Sequence, residues 1–201
     1  MSQGHSMSEL ILLCNRLATR IQLLEIKERI SSTFTPVRRW AFAIVTDTAT
    51  MAISPSIADP PSPAGRVKIV VRIIWDFKFS GPAKIDYYDG CPVISKIAVE
   101  EIIRAIHGAG MNTFNLKDGR GHRYWVCVVL FYLFSFMIQT TPGEYMPERA
   151  VEIMTRCDID NRPIEKGTFD MSKLSGEATA ALLLCDRAII NFRRLERAPK
   201  G

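Results

Sequence analysis

The sequence predicts an α+β fold: an antiparallel sheet packed on a central buried helix, with an amphipathic helix added at the C-terminus. Three observations predict it. From Tyr124 to Ile138 only Ser135 interrupts a run of apolar and aromatic residues. The run is shorter than the ~20 residues that span a bilayer as a helix, and longer than strands of roughly 3–10 residues. A helix apolar on all sides is buried on all sides. Second, Val37–Val45 is β-branched and aromatic between Pro36 and Asp47, which reads as a buried strand. Arg66–Trp75 is a clearer one. Val67, Ile69, Val71, Ile73 and Trp75 share one face, while Arg66, Lys68, Val70, Arg72, Ile74 and Asp76 share a mixed face. Third, Gly176–Leu195 places Ala178, Ala181, Leu182, Cys185, Ala188, Ile189 and Phe192 at helical spacing.

The remaining elements follow in order. Residues 1–7 read as a leader and Glu9–Ala18 as a short helix. Thr19–Lys27 fits a continuation of that helix or a first strand equally well. Ser31–Pro36 is a loop. Asp47–Gly65 holds Pro55, Pro60, Pro61 and Pro63, which predicts a long exposed connection. Ser80-Gly-Pro82 makes a turn, Ala83–Tyr88 a short strand and Asp89-Gly90 another turn. Ser95 can cap a helix over Ile97–His107, ended by Gly108 and Gly110. Thr113–Leu116 reads as one more strand. Pro142-Gly143 stops the apolar helix, and Pro147 begins another through Cys157. Asp158–Lys173 is irregular. Arg193, Arg194 and Arg197 suit the negative end of the last helix. Three units result: a leader with a short helix (1–18), an α+β core (19–170) and a C-terminal helical extension (171–201).

Composition narrows the function. Apolar residues make up 47% and charged residues 23%, as in soluble globular proteins. The net charge of +5 comes without a basic run longer than two residues. Nucleic-acid binders concentrate such charge in a patch or stripe, so none is expected as a partner. Five cysteines lack any C-x-x-C pair, which suggests reduced thiols in the cytoplasm. Three histidines, at 5, 107 and 122, are too few and too scattered for a zinc site. Asp158-Ile-Asp160-Asn161 starts like a calcium loop but lacks its Gly and Glu positions. Neither a secretory leader nor a membrane span is expected.

The polar lead-in to the apolar helix, Lys117-Asp-Gly-Arg-Gly-His122-Arg123, carries the most suggestive chemistry. A helix N-terminus offers free N–H groups and a partial positive charge. The pieces Arg38-Arg39-Trp40, Gly119-Arg-Gly-His-Arg-Tyr-Trp125 and Gly167-Thr-Phe-Asp170 follow each other along the chain. Their order resembles a family of small, mostly uncharacterised fungal proteins. In that family an Asn-His-Trp heads a strand, a Gly-x-Gly-Cys-Arg-Phe-Trp opens a buried helix, and a Gly-Thr-Phe-Tyr closes the domain. The resemblance covers about residues 19–170. The same order is similar to circularly permuted papain-like (NlpC/P60-type) cysteine hydrolases, where a helix-start thiolate is activated by a histidine.

This chain departs from that pattern at both catalytic positions. Arg39 stands at the base histidine and His122 at the nucleophilic cysteine. Cys127 lies inside the apolar run, where a thiol is inert. The resemblance therefore implies either a disabled scaffold that binds a ligand or partner, or a scaffold turned to other chemistry. For the latter, His122 kept neutral by the dipole can act as base or hydrogen-bond donor. Arg39 can hold a carboxylate or enolate, and Asp76 can complete the set. Trp40, Arg72, Tyr87, Tyr124 and Trp125 are the candidate substrate-binding residues around an apolar pocket. The expected ligand is a hydrophobic small molecule with a carbonyl or anionic end. The expected reaction is a cofactor-free cyclisation or isomerisation of fungal secondary metabolism. A mild charge and an amphipathic last helix permit a homodimer.

Overall fold

The computed structural model describes residues 14–28, 37–57, 67–74, 84–116, 121–156 and 164–197. Five strands form one antiparallel sheet: β1 (Arg20–Glu28), β2 (Val37–Val45), β3 (Thr50–Ile57), β4 (Val67–Ile74) and β5 (Lys84–Pro92), in the order β4-β3-β2-β1-β5. Four α-helices follow: α1 (Val99–Gly108), α2 (His122–Phe136), α3 (Met146–Arg156) and α4 (Gly176–Arg197). The α+β class with a central buried helix is what the patterning predicts. Every residue of α2 from Tyr124 to Phe134 is buried.

Strand alternation assigns the sheet two apolar faces. Ile21, Leu23, Trp40, Phe42, Ile44, Met51 and Ile53 join the helices in the main core. Leu24, Ile26, Ala41, Ala43 and Ala52 make a second buried cluster on the opposite face. The Phe42 ring stacks on Trp125 of α2 at 6.3 Å. The far side of α2 is covered by α4, through buried Ala178, Ala181, Cys185 and Ile189. On the outer face of α4, Leu183, Leu184, Ile190 and Leu195 stay exposed.

Five local expectations need correction. Asp47–Gly65 is not one long exposed connection, because β3 occupies Thr50–Ile57. A tight turn, in which the Thr46 hydroxyl accepts the Ala49 N–H at 3.0 Å, joins β2 to β3. Pro55 lies beyond Ile53, the last β3 residue paired with β2, and still pairs with Ile69 of β4; a proline fits there with its nitrogen turned to the side that β2 has left. Next, Asp89-Gly90 is not a turn. β5 runs through it to Pro92, with a bulge that shifts its register against β1 between Gln22 and Leu24. Thr113–Leu116 is not a strand: Met111–Thr113 is a 3₁₀ turn, and only Asn115 bridges, to Thr168. Ser95 does not cap α1. Glu101 accepts the Ala98 N–H at 2.7 Å, and Ser95 Oγ accepts the Gln139 N–H instead. The Glu9–Ala18 helix has already ended at Leu17, which bridges to Ala98. Residues 1–13, the 31–36 loop, the 80–82 turn and 157–163 lie outside the described residues.

The start of α2 is fixed by glycines. Gly121, at φ 107°, precedes the first helical residue, and a Cβ there would sit 3.2 Å from Phe114 Cζ. Gly167 is tighter. A Cβ would lie 2.1 Å from Phe114 Cζ and 2.6 Å from the Asn115 carbonyl oxygen. Phe169 packs on the same ring at 4.7 Å. Gly121, Gly167 and Phe169, from two of the three short motifs, thus close around one buried phenyl ring. Neither that ring nor the Asn115–Thr168 bridge can move away cheaply. Gly167→Ala is expected to lower stability by about 1–3 kcal/mol. Urea unfolding measures it, and shortening the ring with Phe114→Leu in the same chain should make the two losses less than additive.

Candidate functional site

His122 is the first residue of α2, and three residues later Trp125 stacks on Phe42. That contact sets the first turn of the helix over a particular place in the sheet. β2 and β3 pair only from Phe42↔Ile53 to Val45↔Thr50. β3 continues beside β4 as far as Ile57. Among the described residues, Val37 to Ala41 pair with β1 alone. The sheet therefore forks between β2 and β3, with Arg39 and Trp40 on one prong.

Arg39 pairs with Ile26 and shares strand parity with Ala41 and Ala43, so it leaves the strand on the face away from Phe42. Its charge still bears on His122. Burial is the larger cause, and the Arg39 cation the second, that together push the imidazole down to about 4. His122 is therefore neutral at physiological pH, with a permanent cation nearby. The imidazolium is disfavoured by three things at once: lost solvation, the guanidinium, and the positive end of the helix.

The other candidates fall in different environments. Trp125 is fully buried, and its indole N–H donates to the Met111 carbonyl at 2.9 Å. Tyr124 is buried too. Its hydroxyl donates to Asp186 Oδ1 at 2.9 Å, and Lys166 pairs with the same carboxylate at 2.8 Å. Trp40 is buried against Tyr88, with ring centroids 5.2 Å apart. In this conformation these rings are core, and Trp125 and Tyr124 have their polar atoms already satisfied. Arg72 pairs with Ala52 and Tyr87 with Leu24; their side chains lie outside the described residues, as does Asp76 altogether. Arg123, beside His122, donates to the Met154 carbonyl at 3.0 Å and so caps the last turn of α3.

One cluster escaped sequence reasoning. Glu25 is 1% exposed in the middle of the sheet, opposite Trp40. Tyr88 donates to its carboxylate at 2.9 Å, and the Lys27 ammonium lies 3.4 Å away while also pairing with Asp86. A carboxylate so buried persists only with such partners. The signal was present as Glu25 and Lys27 alternating with Leu24 and Ile26. It was illegible while Thr19–Lys27 fitted helix or strand alike.

Cys127 has no exposed surface and lies five positions into the helix from His122, inside the apolar run. Cys14, Cys91, Cys127 and Cys185 are free thiols. Among the described residues no group of three metal-ligating side chains occurs, and no helix is long and apolar enough to cross a membrane. The chain matches no family model, no curated protein and no solved structure.

Depression of the His122 pKa has a definite sign in stability. The unfolded imidazole takes its proton near 6.5, the folded one only near 4. Between these values the unfolded chain binds more protons, so acid favours unfolding. The contribution is complete above pH 6.5 and is lost as the pH falls towards 4. It amounts to up to about 3 kcal/mol. Urea titrations at stepped pH should show this loss in the wild type and not in His122→Gln. In Arg39→Gln, imidazole NMR shifts should report a pKa above about 4 yet below 6.5, because burial remains.

Proposed function

We propose that this chain is a cofactor-independent enzyme that cyclises or isomerises a small molecule with a carbonyl or anionic end. The observation that carries the reading is a neutral imidazole at a helix start within the field of a permanent cation, beside a fork in the sheet. A neutral histidine can take a proton from the carbon next to a carbonyl. The electron pair left behind moves onto the oxygen as an enolate. A guanidinium and the helix N-terminus both favour that negative charge. Return of the proton to a different carbon moves the double bond; alternatively, the enolate carbon attacks a second carbonyl of the same molecule and closes a ring, that carbonyl's π pair moving to its oxygen, which takes the proton back from the imidazolium. The isomerisation is redox-neutral: His122 moves the proton, and Arg39, which leaves β2 on the opposite face, favours the enolate through its field. The resemblance to fungal proteins suggests specialised metabolism as the setting, and the free thiols suit the cytoplasm. The exposed leucines of α4 offer a surface for a second copy.

A second reading has its own observation. Trp40, Tyr124 and Trp125, the expected aromatic wall, are buried and packed. That favours a ligand-binding protein on a disabled hydrolase scaffold, without turnover. Proton exchange separates the two. A panel of enolisable keto acids, incubated with the protein in heavy water, is followed by proton NMR. The enzyme reading expects catalysed loss of the α-proton signal, slowed about 10²–10⁴-fold in His122→Gln and reduced in Arg39→Gln. Saturable binding with no exchange would leave the binding protein standing. Exchange equally fast in both variants would remove His122 and Arg39 from the chemistry.

A further inference from the structure

We propose that a cavity at the opposite end of the sheet binds a small zwitterion, a free amino acid with one carboxylate and one ammonium group. The cavity has a volume of about 160 Å³ and is lined by Arg20, Asp89, Gly90, Cys91, Glu144 and Arg149, with Met146 at its edge. It lies where β1 begins and β5 ends, remote from the start of α2.

Its charges are set in place by the backbone. Arg20 lies across Gly90: one guanidinium nitrogen donates to the Gly90 carbonyl at 3.0 Å, and a Cβ on Gly90 would fall 2.6 Å from Nε. The bulge in β5 and the missing side chain together make that position possible. Arg149 is neutralised by Asp89, whose other oxygen accepts the Gly90 N–H at 2.9 Å. Glu144 is pinned through its carbonyl, which accepts from the Cys91 thiol at 2.9 Å and from the Thr140 hydroxyl at 3.0 Å. Its carboxylate is 4.0 Å from the same sulfur.

Two charges are left over. Among the described residues, neither Arg20 nor Glu144 has an ion-pair partner, and they do not pair with each other. Both bear on the Cys91 thiol, whose proton is held chiefly by burial, with Glu144 adding to that and Arg20 opposing it. The cavity therefore presents one unpaired cation and one unpaired anion together with a buried thiol. A ligand carrying only a carboxylate would engage Arg20 alone, and an amine alone would engage Glu144 alone. A molecule with both groups answers each, and the guanidinium keeps free donors for a carboxylate. The volume is close to the ~150 Å³ that takes one benzene ring, so the ligand has about six to eight non-hydrogen atoms.

Titration calorimetry with L-alanine and β-alanine, against acetate and ethylammonium, tests this. At least one amino acid should bind saturably at millimolar concentration or below, and about ten-fold more tightly than either singly charged fragment. Arg20→Gln and Glu144→Gln should each weaken binding about ten-fold. Arg20→Lys should retain most of it. Both positions are exposed, so melting temperatures should hold; if Arg20→Gln melts early, Glu144→Gln decides alone. Saturation by acetate as tight as by the amino acids overturns the proposal. So does the absence of saturable binding for both amino acids, or wild-type affinity in Glu144→Gln. His122→Gln should bind as the wild type does, which keeps this site independent of the chemistry proposed at α2.

Discussion

A helix without a polar face has to be wrapped on every side, and that requirement organises the molecule. The buried run of α2, from Tyr124 to Phe134, offers water nothing. Phe42, Met51 and Ile53 of the sheet take one side, and α3 and α4 take others. Removing that much apolar surface from water is the dominant favourable force available to the chain. It also decides where chemistry can be. No flank of α2 can face a polar ligand, so polar sites are pushed to its two ends. His122 stands at one end. The Gln139–Glu144 segment, which borders the charged cavity, follows the other.

The two ends are electrostatically different. At the start of α2, among the described residues, burial and the Arg39 cation act on the imidazole in the same direction, both against a bound proton. The group is thus held neutral at rest, and a proton is held there only when a negative charge, such as a forming enolate, lies beside it. Around Glu144 the charges are mixed and the burial shallow, which suits reversible binding more than proton transfer. The Glu25 cluster behaves differently again. Its carboxylate accepts from Tyr88 and pairs with Lys27, which also pairs with Asp86. Breaking that set would leave a buried charge unpaired, so it locks β1 to β5.

Elements with strong periodicity were legible in the sequence, and those defined by their neighbours were not. β2 and α2 emerge from local patterning because apolar residues fill them. β3 was hidden by Pro55 and the prolines after it. A proline forbids a strand only where its missing N–H is needed, and the early end of the β2–β3 ladder removes that need. β5 was cut short at Asp89-Gly90 because this dipeptide usually turns. Here Gly90 serves instead to let Arg20 lie against it, a contact no local pattern contains. For the candidate site, His122 and Arg39 were legible as unusual residues at the edges of apolar elements. The aromatic wall was over-read: a tryptophan or tyrosine beside a polar loop looks available until its N–H or O–H partner is known. For Trp125 and Tyr124 those partners are Met111 and Asp186, far away in sequence.

The short motifs behind the family resemblance take on a structural meaning. Gly121 and Gly167 both abut Phe114, and Phe169 lies on the same ring. These residues are required by close packing at the start of α2, whatever side chain occupies the next position. A chain that keeps this packing can therefore exchange the residue at the helix start freely, and His122 is a residue the local field holds in one protonation state. Motifs of this kind identify the frame around a site; the chemistry of the site depends on the one position the frame leaves open.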